Sequence, residues 1–216
     1  MVNCKWIHPI GLSLLLVLTG CNRMIVGLAG IHPYDRKVTQ EKKDRLAKRM
    51  GISSKESLEL SHKYVQALEL RRGNEPDKHV QAKYQPLQLR WYSSGGRIQW
   101  LIPNCDVGGF PNLQWNHFGL PDTLFAPNSS RRYADSAWTV HDDMNFMSSR
   151  DGEDPMKLNE SDAFLFVYWT YFMGRQSVRL AKYVEKWRKR DGRNISVRYV
   201  NADSLMIGID KPEVLE

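Results

Sequence analysis

The amino-acid sequence predicts an α/β protein, and three consecutive features near its carboxyl end carry that prediction. Residues 163–169 form an uninterrupted apolar run of strand length, which is typical of a strand covered on both faces. Residues 178–193 place apolar side chains on one face of a helix and basic ones on the other, and residues 195–201 alternate as a second strand. A strand, a helix and a strand in this order predict a parallel β-α-β unit with a right-handed crossover.

The overall composition agrees with one folded domain. The chain has 216 residues, of which 42% are hydrophobic and 25% charged, and this disfavours both a disordered protein and a multidomain machine. Lysine and arginine number 31 against 24 acidic residues, and the net charge of +7 favours anionic surroundings without identifying them. The cysteines are too few for a disulfide framework and lack the spacings of a structural zinc site: Cys4, Cys21 and Cys105.

The amino-terminal residues have the pattern of an export signal. Lys5 precedes an apolar run over residues 10–18, which is too short for a bilayer span of about 20 residues. The four residues that follow resemble the lipobox of bacterial lipoproteins, namely Leu18, Thr19, Gly20 and Cys21. The resemblance implies cleavage between Gly20 and Cys21, a diacylglycerol thioether on Cys21 and an acylated amino terminus carrying a fatty acid such as palmitate.

This resemblance divides the first part of the chain. Residues 1–20 are the predicted signal peptide, and residues 21–36 are the predicted tether between the lipid and the body of the protein. Asn22 stands where an aspartate would favour retention in the inner membrane of enteric bacteria, so the outer membrane of the bacterial cell envelope is the favoured location. The predicted membrane partner is therefore reached through a lipid anchor on Cys21.

Residues 37–73 are predicted to be a helical segment. A first helix over residues 37–50 ends at Gly51, which suits a helix carboxyl cap. Ser53 and Glu56 have the spacing of a capping box, which predicts that a second helix starts here and runs to Gly73. Its apolar stripe consists of Leu58, Tyr64, Val65 and Leu68.

Residues 74–216 are predicted to form the α/β domain. Apolar residues alternate before and after a Ser-Ser-Gly-Gly turn at residues 93–96, and this predicts a β-hairpin over residues 87–102. Residues at about 104–160 are rich in turn-forming and aromatic types and are predicted to be a long loop region. A loop of this length either contains short strands or forms a functional surface.

The β-α-β unit resembles the core of the thioredoxin family, in which an apolar strand leads to Trp-Cys-Gly-Pro-Cys and the next strand closes in aspartate. Trp169 ends the strand here, and Asp203 takes the place of the closing aspartate. The family's four motif positions fall on Met173, Gly174, Arg175 and Gln176, so both redox cysteines are missing. A thioether and an amide cannot attack a disulfide, and the resemblance therefore implies a thioredoxin-like domain that is redox-inactive.

The order of elements strengthens this resemblance and also departs from it. A lipobox, polar helices, a glycine-turn hairpin and a final β-α-β unit are similar to redoxin-like lipoproteins with degenerate active sites. Thioredoxins continue after the closing aspartate with a hairpin and a helix, but few residues follow Asp203. The upstream hairpin at residues 87–102 is the alternative source of the missing antiparallel strands.

Three other groups of residues suggest chemistry of their own. Cys105 would be the remaining thiol for a one-cysteine enzyme, but the adjacent Asp106 opposes thiolate formation. Exposed tryptophans can stack on sugars, so Trp115 and Trp138 are candidates for a glycan-binding surface, with core packing favoured. A metal or acid-base site is the alternative interpretation of His141, Asp142 and Asp143.

Taken together, the residues favour a lipid-anchored envelope protein that acts as a binding or scaffolding module. No catalytic residue, cofactor or metal ligand is predicted, and an enzyme is disfavoured. The basic helix face at residues 178–193 fits a nucleic-acid groove, but export argues against that partner. An envelope protein or a glycan is the predicted partner, beside the membrane itself.

Overall fold

The structure, a computed structural model, describes residues 27, 30–32, 37–53, 56–71, 77–104, 138–149 and 161–210, with the side chains of 77–79 and 207–210 left undescribed. The strands are β1 Ser57–Leu60, β2 Gln88–Ser93, β3 Ile98–Pro103, β4 Met147–Ser149, β5 Ala163–Trp169 and β6 Ile195–Asn201. The helices are α1 Gln40–Met50, α2 Lys63–Arg71, α3 Asp77–Lys83, α4 Val140–Met144, α5 Gly174–Arg188 and α6 Asp203–Asp210.

The six strands found within the described residues form one mixed sheet in the order β3-β2-β5-β6-β1-β4. The strands β5, β6 and β1 are parallel, with Leu165 opposite Val197 and Leu58 opposite Val200. The hairpin of β2 and β3 is antiparallel, and β2 also pairs antiparallel with β5. The α/β class, the parallel β-α-β unit and the hairpin are thereby confirmed, and the hairpin supplies the antiparallel strands next to β5.

Strand β5 is hydrophobic at every position, so both of its faces have to be buried, and helices cover the sheet on both sides. Its odd-numbered residues pack with α1 and α5, and its even-numbered residues pack with α2 and α4. Leu180, Val184 and Trp187 form the buried stripe of α5, as their spacing predicts. Helix α1 ends at Gly51, whose φ of 78° is the left-handed conformation of a carboxyl cap.

The second predicted helix does not begin at Ser53. The Ser53 hydroxyl does bond the Glu56 carboxylate, at 3.0 Å, but the chain then enters strand β1 and helix α2 begins only at Lys63. Leu58 is therefore a strand residue, buried by pairing of β1 with β6 and β4. The local capping pattern is overridden by contacts with parts of the chain that are distant in sequence.

Part of the predicted loop region is regular. Helix α4 is tied to the hairpin turn, since the Val140 amide donates to the Gly96 carbonyl at 2.8 Å and Thr139 bridges to Arg97. Strand β4 then pairs antiparallel with β1 at the edge of the sheet. Within the residues that the structure describes, no helix combines the length and the apolar character needed to cross a membrane.

Candidate functional site at the carboxyl edge of the sheet

The parallel strands β5 and β6 end side by side, and the residues that follow them form the carboxyl edge, defined here as residues 170–177 and 201–203. Ala202 donates its amide to the Trp169 carbonyl at 2.8 Å, which holds the two strand ends together. Side chains at such an edge are available to a ligand in α/β proteins. The buried polar residues of the carboxyl edge are Thr170, Gln176, Ser177, Asn201 and Asp203.

Two hydroxyl groups shape the turn from β5 into α5. The Thr170 hydroxyl accepts the Met173 amide at 3.1 Å, and the Ser177 hydroxyl donates to the Thr170 carbonyl at 2.8 Å. Gly174 has a φ of 42°, in the left-handed region where a side chain costs about 1–2 kcal/mol. The turn is therefore fixed by short polar side chains and one glycine rather than by a pair of cysteines.

Asp203 joins the ends of the two strands. Its carboxylate accepts the Tyr171 amide and the side-chain amide of Asn201, each at 2.8 Å. Burial raises the pKa of Asp203 above its ordinary value of 3.8, while these hydrogen bonds oppose the rise. The predicted closing aspartate is thus a positioning residue of the carboxyl edge, with little of its surface open to solvent.

The four predicted motif positions lie together at the start of α5. Met173 and Gln176 are buried and Arg175 is exposed. Neither a buried thioether nor an amide supplies a nucleophile for disulfide exchange. The described part of the carboxyl edge offers instead a rim of Tyr171, Phe172 and Arg175 over a polar interior.

The amino-terminal segment at residues 30–32 is docked onto this rim. The His32 amide donates to the Phe172 carbonyl at 2.8 Å, and the Arg175 amide donates to the Gly30 carbonyl at 3.0 Å. The His32 ring stacks on Tyr171 with centroids 4.7 Å apart and planes within 12°. Part of the predicted tether is therefore attached to the domain.

Two glycines permit this close approach. Gly30 has a φ of 69°, and a side chain there would overlap the aliphatic part of Arg175. A side chain on Gly174 would overlap the Gly30 carbonyl oxygen and come within 2.9 Å of the His32 ring. Both positions need glycine for its conformational freedom and its small size.

His32 lies in a partly buried and positively charged environment. Burial lowers its pKa from the ordinary value of 6.5, and repulsion from Arg49, Arg175 and Lys42 lowers it further. The neutral imidazole is the favoured form at neutral pH, and it suits stacking on a tyrosine ring.

A second polar cluster, the buried ion-pair network, lies on the opposite face of β2 from the α1 and α5 layer. Arg90 and Asp143 are fully buried and their side chains meet at 2.5 Å. The other N–H groups of the Arg90 guanidinium donate to the Tyr64 hydroxyl at 2.6 Å, the Gln88 side chain at 2.9 Å and the Lys83 carbonyl at 3.3 Å. Every guanidinium nitrogen of Arg90 therefore has a partner.

Aromatic residues close this network. Trp138 donates its indole N–H to Asp143 at 3.1 Å, and the Tyr92 hydroxyl donates to the other carboxylate oxygen. The Arg90 guanidinium lies 4.3 Å from the centre of the Tyr168 ring, a cation-π contact. Burial raises the pKa of Tyr92, and the Asp143 charge raises it further, so this hydroxyl stays protonated as a donor.

The structure places the three residues of the predicted metal or acid-base site, His141, Asp142 and Asp143, in three different environments. His141 is exposed, Asp142 caps α4 by accepting the Thr139 amide at 2.8 Å, and Asp143 belongs to the buried ion-pair network. Asp142 also pairs with Arg71 at 3.0 Å. Among the described residues, no group of three or more potential ligands is placed to hold a metal ion.

The other candidate residues have different outcomes. Trp138 is 1% exposed, which removes it as a sugar-stacking residue and agrees with the favoured core packing. The remaining candidates lie outside the described residues: Leu18, Thr19, Gly20, Cys21, Cys105 and Trp115.

An open cavity of about 520 Å³ lies at the amino end of β6, away from the carboxyl edge. Arg188, Arg193 and Arg198 contribute to its wall. Arg188 is 3.4 Å from Glu56, and Arg193 is bound to Asp191 at 2.6 Å, so two of the three cations are already balanced by carboxylates. The cavity therefore has a weaker charge than its arginines suggest.

Sequence reasoning located the carboxyl edge but missed His32 and the buried ion-pair network. The sequence did contain one signal of the buried ion-pair network. Arg90 is a charged residue between the apolar Leu89 and Trp91 of one strand. In comparisons with known proteins, no family model, no curated protein and no solved structure matches the chain.

Proposed function

We propose that the chain is an exported bacterial lipoprotein, anchored through acylated Cys21, whose thioredoxin-like domain is a redox-inactive binding or scaffolding module. The observation that carries the functional part is the chemistry of the carboxyl edge, where Met173 and Gln176 are buried and residues 30–32 are docked onto the rim. The outer membrane is the favoured location, by the lipobox resemblance and Asn22.

The anchor is supported by the order of features along the chain. The lipobox ends at Cys21, only nine positions before Gly30, which is already attached to the domain. Nine residues span at most about 30 Å, so an acylated Cys21 holds the carboxyl edge close to the membrane surface. One acyl chain anchors marginally, whereas the several chains of a lipoprotein anchor stably.

The binding role is supported by the surface of the carboxyl edge. Phe172 is half-buried, the half-buried Tyr171 ring is covered on one face by His32, and Arg175 adds an exposed cation beside them. Aromatic and arginine side chains are enriched where proteins bind partners. A fixed backbone with such a rim and without a thiol favours recognition over catalysis.

The anchor is tested by mass spectrometry of the amino-terminal peptide and by fractionation of a Cys21→Ser variant. We expect the wild-type protein to begin at an acylated Cys21 and to sediment with membranes. The variant keeps residues 1–20 and loses the acyl groups, whereas Cys105→Ser, as matched control, is processed normally. An unmodified Cys21 in protein from the native host contradicts the proposal.

The binding role is tested with a photo-crosslinking amino acid at Arg175 and, as control, at Lys189 beyond the end of α5. We expect a reproducible crosslinked neighbour, protein or lipid, from position 175 alone. Equal crosslinking from both positions contradicts a binding role of the carboxyl edge. Insulin reduction that is lost in Cys105→Ser would instead make the protein a thiol enzyme.

A further inference from the structure

Helix α1 carries a row of cations on the side of the domain where residues 30–32 are docked. Lys42, Arg45 and Arg49 recur at spacings of three and four residues and therefore share one face of the helix. Arg45 and Arg49 are exposed and Lys42 is half-buried, while the buried residues Leu46 and Met50 point into the core. The exposed Arg45 and Arg49 can thus contact a partner outside the domain.

Arg175 extends this row from α1 onto α5. Helices α1 and α5 pack against each other, and the Arg175 side chain crosses directly over Gly30. Lys42, Arg49 and Arg175 all act on His32 by charge repulsion, which places them around one point. These four residues, Lys42, Arg45, Arg49 and Arg175, are called the cationic face.

Acidic residues on α1 compensate the cationic face only in part. Glu41 lies 3.8 Å from Arg45, but both side chains are highly exposed, at 80% and 69%, and such a pair contributes little. Asp44 accepts a hydrogen bond from the Gln40 side-chain amide at 3.0 Å. Helix α1 contains five basic residues and two acidic ones, and Lys43 also pairs with Glu59 at 3.2 Å, which still leaves an excess of cations on the helix.

The length of the tether decides which partner this face meets. Cys21 is nine positions from Gly30, a span of about 30 Å at most, and this step relies on the proposed acylation of Cys21. Charges in solution are screened over about 8 Å at physiological ionic strength, so the cationic face must come into contact with a surface to be attracted by it. A short tether makes that contact intramolecular, which raises its effective concentration.

We propose that the cationic face seats the domain on anionic phospholipid headgroups, so that the carboxyl edge of the sheet faces the bilayer. The partner of the proposed binding module is then the lipid surface itself. Each basic residue near an anionic membrane strengthens attachment about fivefold. Once the anchor has brought the cationic face within reach of the headgroups, its cations therefore hold the domain against them. Arginine suits this role because its planar guanidinium bonds phosphate oxygens in pairs.

The test uses acylated protein purified from membranes, with Cys21 acylation verified first by mass spectrometry. The protein is reconstituted in vesicles of phosphatidylcholine alone or with one third phosphatidylglycerol, and amide hydrogen exchange is measured. We expect anionic vesicles to slow exchange at least threefold in α1 and in residues 171–176. We also expect 0.5 M salt to restore the rate seen on neutral vesicles.

The variant pair isolates the cationic face from the total charge. Arg45→Glu with Arg49→Glu is expected to abolish the slowing, whereas Lys186→Glu with Lys189→Glu, at the far end of α5, is expected to keep it. Both pairs change the net charge equally, and helix α5 of 15 residues separates the two ends by about 22 Å. Unfolding in urea verifies that both variants are folded.

Each outcome distinguishes the two proposals. Equal exchange on neutral and anionic vesicles with Cys21 acylated overturns the seating on lipid and leaves the anchor intact. Equal loss in both variant pairs also overturns the seating, because it reports total charge. Slowing by inorganic phosphate on neutral vesicles would show a soluble anion as the ligand, and an unmodified Cys21 overturns both proposals.

Discussion

The buried ion-pair network and the carboxyl edge are both built from buried polar side chains, but they differ in charge and closure. Arg90 and Asp143 are fully buried, and the partners of Arg90 come from α2, α4, β2 and the end of α3. At the carboxyl edge, one largely buried carboxylate binds two amides beside an exposed arginine and a left-handed glycine. The first cluster joins remote elements and is structural, whereas the second leaves a rim that can bind a partner.

The largest expected effect comes from breaking the ion pair. Asp143→Ala leaves the Arg90 charge buried without its carboxylate, and we expect the free energy of unfolding to fall by about 3–5 kcal/mol. Asp142→Ala, the adjacent control, removes a partly exposed capping-box carboxylate together with its ion pair to Arg71 and should cost about 1 kcal/mol. Urea unfolding of both variants measures the difference. Equal losses would refute the assignment of the network as the main structural cluster.

The hydroxyl groups around Arg90 sharpen the same comparison. Tyr92→Phe removes a hydrogen bond to the buried carboxylate and should lower the free energy of unfolding by about 1.5–3 kcal/mol. Tyr168→Phe removes a buried hydroxyl that has no hydrogen-bond partner among the described residues, so its effect should stay within about 0.5 kcal/mol or be stabilising. A larger cost for Tyr168→Phe than for Tyr92→Phe contradicts the hydrogen-bond pattern.

Three glycine substitutions, one of them at the carboxyl edge, distinguish the cost of backbone strain from the cost of steric overlap. Gly174→Ala combines a positive φ with overlap of the Gly30 carbonyl, and we expect about 2 kcal/mol of destabilisation and faster exchange of the His32 amide. Gly51→Ala has the positive φ without any neighbour within 4 Å and should cost about 1 kcal/mol. Gly192→Ala has neither and should be neutral. Unchanged exchange at His32 in Gly174→Ala would disprove the docking of residues 30–32.

The smallest effect concerns pH. Because burial raises the pKa of Asp203, the folded state binds its proton more tightly than the unfolded state, and stability falls as the pH rises from 3.8 through the raised pKa. Asp203→Asn should lose this part of the pH dependence. The Arg193 hydrogen bond lowers the pKa of Asp191, so Asp191→Asn should lose a contribution of opposite sign, present above pH 3.8 and lost below it. Urea titrations between pH 3 and 7 compare the two, and equal signs would contradict these environments.

The elements predicted correctly from the sequence are those whose signal is local. The hairpin, β5, α5 and β6 each follow from periodicity within a few residues and from their turns. Strand β1 has only four residues, and its burial comes from pairing with β6, which is distant in the chain. The Ser53 and Glu56 side chains of the capping pattern are hydrogen-bonded, but this contact is too weak to start a helix in competition with the pairing of β1 and β6.

The candidate site was predictable only in part, for the same reason. The position of residues 173–176 follows from the strand before them and the helix after them. The docking of His32 onto Phe172 joins residues that are far apart in the sequence, and no local pattern predicts it. Arg90 and Asp143 are likewise 53 positions apart. Tertiary contacts of this range depend on the completed sheet.

The attachment of α4 to the hairpin turn has a consequence for the evolution of the chain. The Asn104 amide donates to the Leu87 carbonyl at 2.9 Å and the Val140 amide to the Gly96 carbonyl at 2.8 Å, so the chain is attached to the hairpin at both positions. Sequences related to this protein can therefore differ in length between Asn104 and Val140 only where both of these backbone hydrogen bonds are kept.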